Sequence, residues 1–300
     1  MEQHLPTDLQ LLKAPRKRLG RRLGPYLLMG PGGLWLVIFF LVPVAFMASM
    51  SLQTGNIIDG FRQTFRFANF SDAVVRYHVQ FLRSLRYASI ATAVTLIVSY
   101  PLAYWIAFRG GRHKTTYLFL LLLPFFVSFV IRTLAWRWIL ADEGIVLGTL
   151  KSWHLLPQSF YVLATPAAVI SGIAYNFLPF MALPLYVSLE RIDRSVVEAA
   201  GDLYAGRFQV FRRVILPLSI PGIFAGVLLT FVPAMGDYVN ADILGGVGTT
   251  MIGNVIQLEY LQNVHYPVAA ALSFVLMVGL LIGMFAYARV LGARSLEEYV

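Results

Sequence analysis

Six long apolar stretches, separated by polar and charged segments, divide the chain. They lie near residues 26–50, 84–108, 116–140, 165–188, 218–239 and 268–290. Each is long enough to cross a bilayer as an α-helix, because the hydrocarbon core requires about 20 mostly apolar residues. The pattern predicts an all-α membrane protein with about six transmembrane helices.

The composition supports a membrane protein. Of the 300 residues, 58% are hydrophobic and 13% are charged, whereas a soluble domain has about 25% charged residues. The net charge of +9 is therefore interpreted as a topology signal and not as a sign of nucleic-acid binding. The absence of cysteine excludes disulfides, a thiol nucleophile and a cysteine-ligated metal.

The same pattern divides the chain into segments. We predict a basic tail at 1–25, a first span at 26–50, a loop at 51–83, a core at 84–291 and a short tail at 292–300. No cleavage site follows the basic tail, so no removable signal peptide is predicted and the first span is expected to remain as an anchor. The tail is also expected to contact anionic lipid.

Lysine and arginine are concentrated in alternate loops. The N-terminal tail holds six of the 24, the loops after the second and fourth stretches hold three and five, and the C-terminal end holds two. The loop after the third stretch holds one, and residues 240–267 hold none. By the positive-inside rule both termini are expected in the cytoplasm. The loop at 51–83 argues weakly against this, because it contains four arginines and only two aspartates.

Proline and glycine mark special positions inside these stretches. Proline removes a backbone donor and kinks a helix, which a membrane tolerates only where protein or water satisfies the freed carbonyl. Two glycine pairs, Gly222/Gly226 and Gly279/Gly283, have the spacing that lets helices approach closely. The prolines inside the stretches are Pro43, Pro101, Pro124, Pro179, Pro184 and Pro233.

The polar loop at 190–217 contains two predicted helices. Ser195 is the expected N-cap of the first, with Glu198 at the capping-box spacing and helix formers at 196–203. Gly206 is expected to end that helix, and a second helix is predicted over 207–216. A plain connector needs fewer residues, so the loop is predicted to be a cytoplasmic docking surface.

This loop resembles the "EAA" loop of bacterial ATP-binding-cassette importer permeases. The family pattern is Glu-Ala-Ala, three residues, Gly, nine residues, an apolar residue, one residue and Leu-Pro. Val214 holds the apolar position, whereas Tyr204 stands where the family has glycine, and Gly206 is the candidate substitute. The residues assigned to ATPase coupling by this resemblance are Glu198, Ala199, Ala200, Gly201, Tyr204, Gly206, Leu216 and Pro217.

The wider resemblance runs from Leu27 to the C-terminus. The segments 124–136, 175–186 and 233–238 are most similar to the first permease subunit of spermidine/putrescine importers. The resemblance implies a bacterial inner-membrane heterodimer with a second permease, two cytoplasmic ATPase subunits and an extracytoplasmic substrate-binding protein. The sequence has no Gly-x-x-x-x-Gly-Lys-Ser/Thr phosphate loop, so the chain is expected to bind no cofactor and to use a partner's ATPase.

Carboxylates and aromatic rings near the outer ends of the spans are candidates for the substrate path. Both suit a polycation, electrostatically and through cation–π contact. The alternative is that the acids hydrate a channel mouth and the aromatics form an interfacial belt. Arg132 and Arg137 are expected to reach the interface or to pair with Asp142 or Glu143. The path candidates are Asp237, Tyr238, Asn176, Tyr175, Trp136 and Asp242.

Three other functions remain to be weighed. An importer of the same superfamily with another small solute would have the same loop. An ATP-independent secondary transporter is less favoured, because no internal repeat is visible. An enzyme is disfavoured, because the five histidines are scattered and no Gly-x-Ser-x-Gly turn occurs.

Overall fold

The computed structural model describes residues 29–203 and 206–297, with side chains described as far as residue 289. The predicted basic tail and Tyr204 lie outside these ranges. Within them the chain is mostly helical, and a single antiparallel hairpin pairs Gln53 with Gln63. The strands are β1 (Gln53–Asn56) and β2 (Gly60–Gln63).

Twelve helices follow one another in the described residues. Their bounds are α1 Met29–Ser51, α2 Ala68–Arg109, α3 Lys114–Leu122, α4 Phe129–Leu140, α5 Ile145–Ser152, α6 Pro166–Glu190, α7 Arg194–Leu203, α8 Arg207–Leu218, α9 Ile220–Met235, α10 Val239–Leu244, α11 Ile252–Gln257 and α12 Tyr266–Glu297. Wider π-helical turns occur within α1 at Val37–Leu41, within α8 at Phe211–Ile215, and after α11 at Leu258–Gln262.

Four of these helices, α1, α2, α6 and α12, are long and apolar enough to cross a membrane. Two further spans are each divided into a bent pair. The segments Gly111–Phe126 and Phe129–Ser152 meet at 93°, and α8 meets α9 at 62°. The prediction of six spans agrees with the structure when each bent pair is counted as one span.

Two predicted boundaries differ from those of the structure. Helix α2 begins at Ala68 and not near residue 84, so half of the predicted loop is helical. Hydropathy misses this part because it is polar, and it is stabilised by Ala73, Phe70 and Phe81 packing with α11 and α12. The fifth stretch was expected to continue to residue 239, but α9 ends at Met235.

The span predicted near 116–140 is not one helix, and it breaks next to Pro124, one of the prolines expected to kink a helix. After the 3₁₀ turn Leu123–Phe126, Val127 and Ser128 take extended conformations, with ψ angles of 141° and 140°. Pro124 lies at the start of that turn, where a proline lacks the donor that an α-helix needs. The interior prolines of α2, α6 and α9 do not end their helices.

Helices α2, α6 and α9 pack side by side and form the core. Small residues allow this approach: a methyl group added at Gly222 would lie 2.5 Å from Ser188 Cβ, and one at Gly226 would lie 2.7 Å from Met181 Sδ. The packing predicted for this pair is therefore confirmed. The second pair differs, because a methyl group at Gly279 or Gly283 would meet no atom of the described chain within 4 Å.

Candidate functional site

The loop between α6 and α9 begins with a capped helix. Asp193 precedes α7, and its Oδ1 accepts a hydrogen bond from the Ser195 backbone N–H at 2.9 Å. Asp193 therefore occupies the cap position, and the prediction of Ser195 as N-cap is wrong. The hydrogen bonds from the Ser195 backbone and side chain lower the pKa of the Asp193 carboxyl, so the cap stays charged near neutral pH.

Helix α7 buries one face and exposes the other. Ala200 is buried with Val210 and Ile215 of α8 in a cluster that includes Ala103 of α2 and Leu185 of α6. The remaining predicted coupling residues of α7 are exposed. They are Glu198, Ala199 and Gly201.

Helix α8 confirms the second predicted helix, and it carries an exposed aromatic side chain. Phe208 is 73% exposed, and Leu203 of α7 is 82% exposed. Gly206 precedes α8 in an extended conformation (φ −139°, ψ 138°), and its carbonyl accepts hydrogen bonds from Gln209 and Val210. Gly206 therefore begins the second helix; how α7 joins it at Tyr204 lies outside the described residues.

The bend between α8 and α9 is attached to α2. Leu216 and Pro217 are half-buried in the last turn of α8. The hydroxyls of Tyr100 and Ser219 are hydrogen-bonded at 2.8 Å at the bend, and the Tyr100 ring meets the Phe211 ring edge-on at 5.7 Å. Movement of the loop would therefore be transmitted to both α2 and α9.

A buried polar network lies at the centre of the bundle. Asn176 Nδ2 of α6 donates to Thr133 Oγ1 of α4 at 2.9 Å and to Asn240 Oδ1 of α10 at 3.0 Å. The Asn240 backbone N–H and side-chain amide donate to the two carboxylate oxygens of Asp237. All four residues are buried. Asn176 Oδ1 has no partner among the described residues, so one acceptor of the network remains available.

The other predicted path residues lie outside this network. Trp136 and Tyr175 stack with ring centres 5.1 Å apart. Tyr238 is 43% exposed, and Asp242 is exposed and lines a separate polar cavity of about 330 Å³ with Asn254 and other residues. The structure thus joins Asp237 to Asn176, and Trp136 to Tyr175, but does not gather all six residues.

Sequence reasoning missed Thr133 and Asn240. The spacing of Asp237 and Asn240 could have indicated this contact. A carboxylate just before a helix often accepts a hydrogen bond from the backbone N–H three residues later. The pairing predicted for Arg132 is wrong. Arg132 is buried with its guanidinium 4.1 Å from the Phe125 ring centre, and Asp142 lies instead 3.6 Å from Lys151 Nζ.

A second buried carboxylate joins α2 to the segment before α12. Glu259 is 4% exposed; it accepts from the Tyr77 hydroxyl at 2.6 Å and lies 2.8 Å from His265 Nδ1. Burial acts to raise the pKa of Glu259, but hydrogen bonds from Tyr77, His265 and Asn263 outweigh it, and the pKa is lowered. Among the described residues, no group of three or more acidic or histidine side chains is arranged to hold a metal ion.

Comparison with known proteins identifies relatives over most of the chain. Residues 23–293 match the family model of the binding-protein-dependent transport system inner membrane component. The spermidine/putrescine transport system permease protein PotB of Haemophilus influenzae is 36% identical over 85% of this chain and 90% of its own length. PotB of Escherichia coli is 35% identical over 89% of this chain and 96% of its own length.

The fold also has solved counterparts. A chain of the bacterial alginate ABC transporter, in complex with a periplasmic protein bound to alginate pentasaccharide, superposes with a TM-score of 0.69 at 20% identity. The superposition covers 91% of this chain and 96% of that one. This chain belongs to the family of binding-protein-dependent transport system inner membrane components, which are ABC transporter permeases.

Proposed function

We propose that this chain is one of two channel-forming subunits of an ATP-driven importer of polyamines, and that its loop 190–217 couples transport to a separate ATPase. The observation that carries the proposal is the helix pair α7–α8. One face is packed into the bundle through Ala200, Val210 and Ile215, while Glu198, Leu203 and Phe208 remain exposed.

An ATPase groove would fit the exposed face. Leu203 and Phe208 are exposed apolar side chains on a helix pair that also exposes the Glu198 carboxylate. Exposed apolar groups on short helices suit a helix-in-groove interface. Closure of two ATPase subunits would pull this loop toward its counterpart. The loop would then move α9 through the α8–α9 bend and α2 through the Tyr100–Ser219 contact.

The assembly comprises this chain, a second and similar permease, two ATPase subunits and an extracytoplasmic substrate-binding protein. The chain lies in the bacterial inner membrane, with both termini and the loop in the cytoplasm. The distribution of lysine and arginine supports this orientation. ATP binding would open the path outward to receive the solute, and hydrolysis would reset it.

Polyamines are the proposed cargo because both PotB relatives are named for spermidine and putrescine. The polar network supports a cationic solute. Asp237 supplies a buried carboxyl group, and Asn176 Oδ1 is an acceptor without a partner in the described chain. Trp136 and Tyr175 add a stacked aromatic surface of the kind that attracts ammonium groups.

The test is uptake of labelled spermidine into proteoliposomes that contain the complete transporter and the binding protein, with and without ATP on the ATPase side. We expect ATP-dependent uptake that Glu198→Ala reduces by at least about tenfold, because the change removes a charged contact to the ATPase. Asp202→Ala is the matched control, since Asp202 is an exposed acid of the same helix outside the assigned coupling residues.

Each other outcome points to a different function. ATPase activity that depends on this chain without spermidine uptake would keep the importer and reject the polyamine cargo. Uptake that persists without ATP would indicate a secondary transporter and contradict the proposal.

A further inference from the structure

The elbow between the 3₁₀ turn Leu123–Phe126 and α4 lies near mid-depth in the bundle. The Phe129 ring packs against the Phe177 ring with centres 6.1 Å apart. Phe177 is close to the midpoint of α6, which runs the length of a span from Pro166 to Glu190. Since α6 is itself long and apolar enough to cross a membrane, we infer that the 93° bend beside its midpoint lies about half a bilayer from either face.

Lipid alone cannot cover this elbow. Val127 and Ser128 interrupt the helix, and no side chain caps the first N–H groups of α4. Unpaired backbone groups at this depth are tolerated only against protein or in a water-filled cavity. The side chains around the break are nevertheless apolar and exposed, which suits protein better than water. They are Phe126 (80%), Val127 (45%), Val130 (46%) and Ile131 (58%).

Arg132 adds a specific chemical demand. It lies in the first turn of α4, is only 8% exposed, and stacks on Phe125 and Phe129. Its Nε and Nη1 have no hydrogen-bond partner in the described chain. A buried guanidinium with unmade hydrogen bonds is costly, and the N-terminus of α4 adds positive potential beside it. The elbow is therefore suited to an oxyanion, above all a carboxylate that can accept two hydrogen bonds from arginine.

We propose that the surface formed by residues 126–132 contacts the second permease subunit, and that Arg132 receives an aspartate or glutamate side chain of that subunit. The inference rests on the two-permease assembly of the proposed function. A lipid phosphate would lie at the membrane surface and not at this depth, and a polyamine is a cation. An acidic side chain of the second permease has the charge that complements Arg132, and it can lie at the same depth in the membrane.

Cross-linking tests the contact itself. The photoreactive residue benzoyl-phenylalanine replaces Ile131 in the complete transporter, and Ile97, which is 70% exposed on α2, is replaced in a comparison sample. We expect the Ile131 position to form a covalent adduct with the second permease. Adducts with lipid only, or none in a complex that has assembled, would overturn the proposal.

Charge substitution tests Arg132. We expect Arg132→Glu to reduce recovery of the second permease with this chain by at least about tenfold, because it sets two carboxylates against each other. Arg132→Lys, which keeps the charge, should retain most of the recovery, and Arg137→Glu, an exposed arginine of the same helix, should leave it unchanged. Normal assembly of the Arg132→Glu variant would contradict the proposal.

A reciprocal change separates loss of the pair from loss of folding. One aspartate or glutamate of the second permease, changed to lysine, should restore assembly with Arg132→Glu. Restoration only by changes within this chain would show that Arg132 is an internal support and would overturn the proposal. Assembly and cross-linking do not depend on the cargo. Failure of spermidine uptake in the unaltered transporter would therefore contradict the proposed cargo without bearing on the contact with the second permease.

Discussion

At the scale of single residues, the buried polar groups are held by one another. One hydrogen-bonded network joins three helices and the α9–α10 connection. Its members are Asp237, Asn240, Asn176 and Thr133. A buried polar group that loses its partner costs about 1–3 kcal/mol. The network therefore fixes α4, α6 and α10 relative to each other, in addition to any contact with solute.

Replacement of Asp237 by asparagine tests the role of its charge. The change keeps the size of the side chain and an acceptor for the Asn240 backbone N–H, but removes the carboxyl group, which can carry a negative charge. We expect lower spermidine uptake with unchanged recovery of the ATPase, measured on reconstituted transporter. Asp72→Asn, an exposed acid paired with Arg66, is the control. Uptake kinetics equal to those of the unaltered protein would refute a role for the Asp237 charge.

Glu259 gives a pH dependence whose sign follows from its pKa. The carboxyl pKa is lowered from 4.5 by the hydrogen bonds from Tyr77, His265 and Asn263, which outweigh the opposing effect of burial. Its stabilising effect is therefore complete well above pH 4.5 and is lost as the pH falls below that value. Glu259→Gln should lower the thermal midpoint of the detergent-solubilised protein at pH 7, by an amount equivalent to about 1–3 kcal/mol.

The difference in thermal midpoint between Glu259→Gln and the unaltered protein should be smaller at pH 4 than at pH 7. An offset that stays constant between pH 7 and pH 4 would show that shape, and not charge, makes Glu259 stabilising. Glu143→Gln, at an exposed position, should behave like the unaltered protein at both values.

At the scale of elements, the contact between α6 and α9 depends on glycine. A methyl group at Gly222 would lie 2.5 Å from Ser188 Cβ and 2.8 Å from the Pro184 carbonyl oxygen, so the helices would have to separate. We expect Gly222→Ala to destabilise the solubilised chain by about 1–3 kcal/mol, measured as a lower thermal midpoint.

Gly279→Ala is the matched substitution, because the same methyl group meets no described atom within 4 Å there. This variant should be as stable as the unaltered chain, or slightly more so, since alanine favours a helix over glycine. Equal losses for both variants in the isolated chain would show that the loss at Gly222 does not come from its close contact with α6.

At the scale of the whole molecule, the two ends of the bundle differ. The exposed α7–α8 pair lies at the C-terminal end of α6, whereas Val247, which is 100% exposed, lies near the N-terminal end of α6, where the Ala164 N–H donates to the Leu244 carbonyl. Since the sequence contains no cysteine, single cysteines can report which end faces which compartment.

We expect Leu203→Cys to react with a membrane-impermeant maleimide only in inside-out vesicles, and Val247→Cys only in intact spheroplasts. This follows from the excess of lysine and arginine in the loops at the α7–α8 end. Labelling in the reverse pattern would place the loop outside the cell and would exclude coupling to a cytoplasmic ATPase.

The sequence by itself determined the features that depend on local composition and linear spacing. Hydropathy located all six apolar stretches, because a membrane span requires a continuous apolar run. The loop helices over 196–203 and 207–216 were predicted nearly to their ends, and the spacing of Glu198 to Pro217 indicated the family. The polar start of α2 at Ala68 was missed, because a helix held by tertiary packing need not be apolar.

The tertiary structure alone decided which distant groups meet. Asn176 and Asn240 are 64 positions apart, and Tyr77 and Glu259 are 182 apart, so no local pattern can pair them. It also decided that the third span breaks at Val127 and leaves Nε and Nη1 of buried Arg132 without a hydrogen-bond partner in the described chain. The physical reason is that burial and hydrogen bonding depend on where neighbouring helices lie, whereas insertion into a bilayer depends mainly on the composition of each segment.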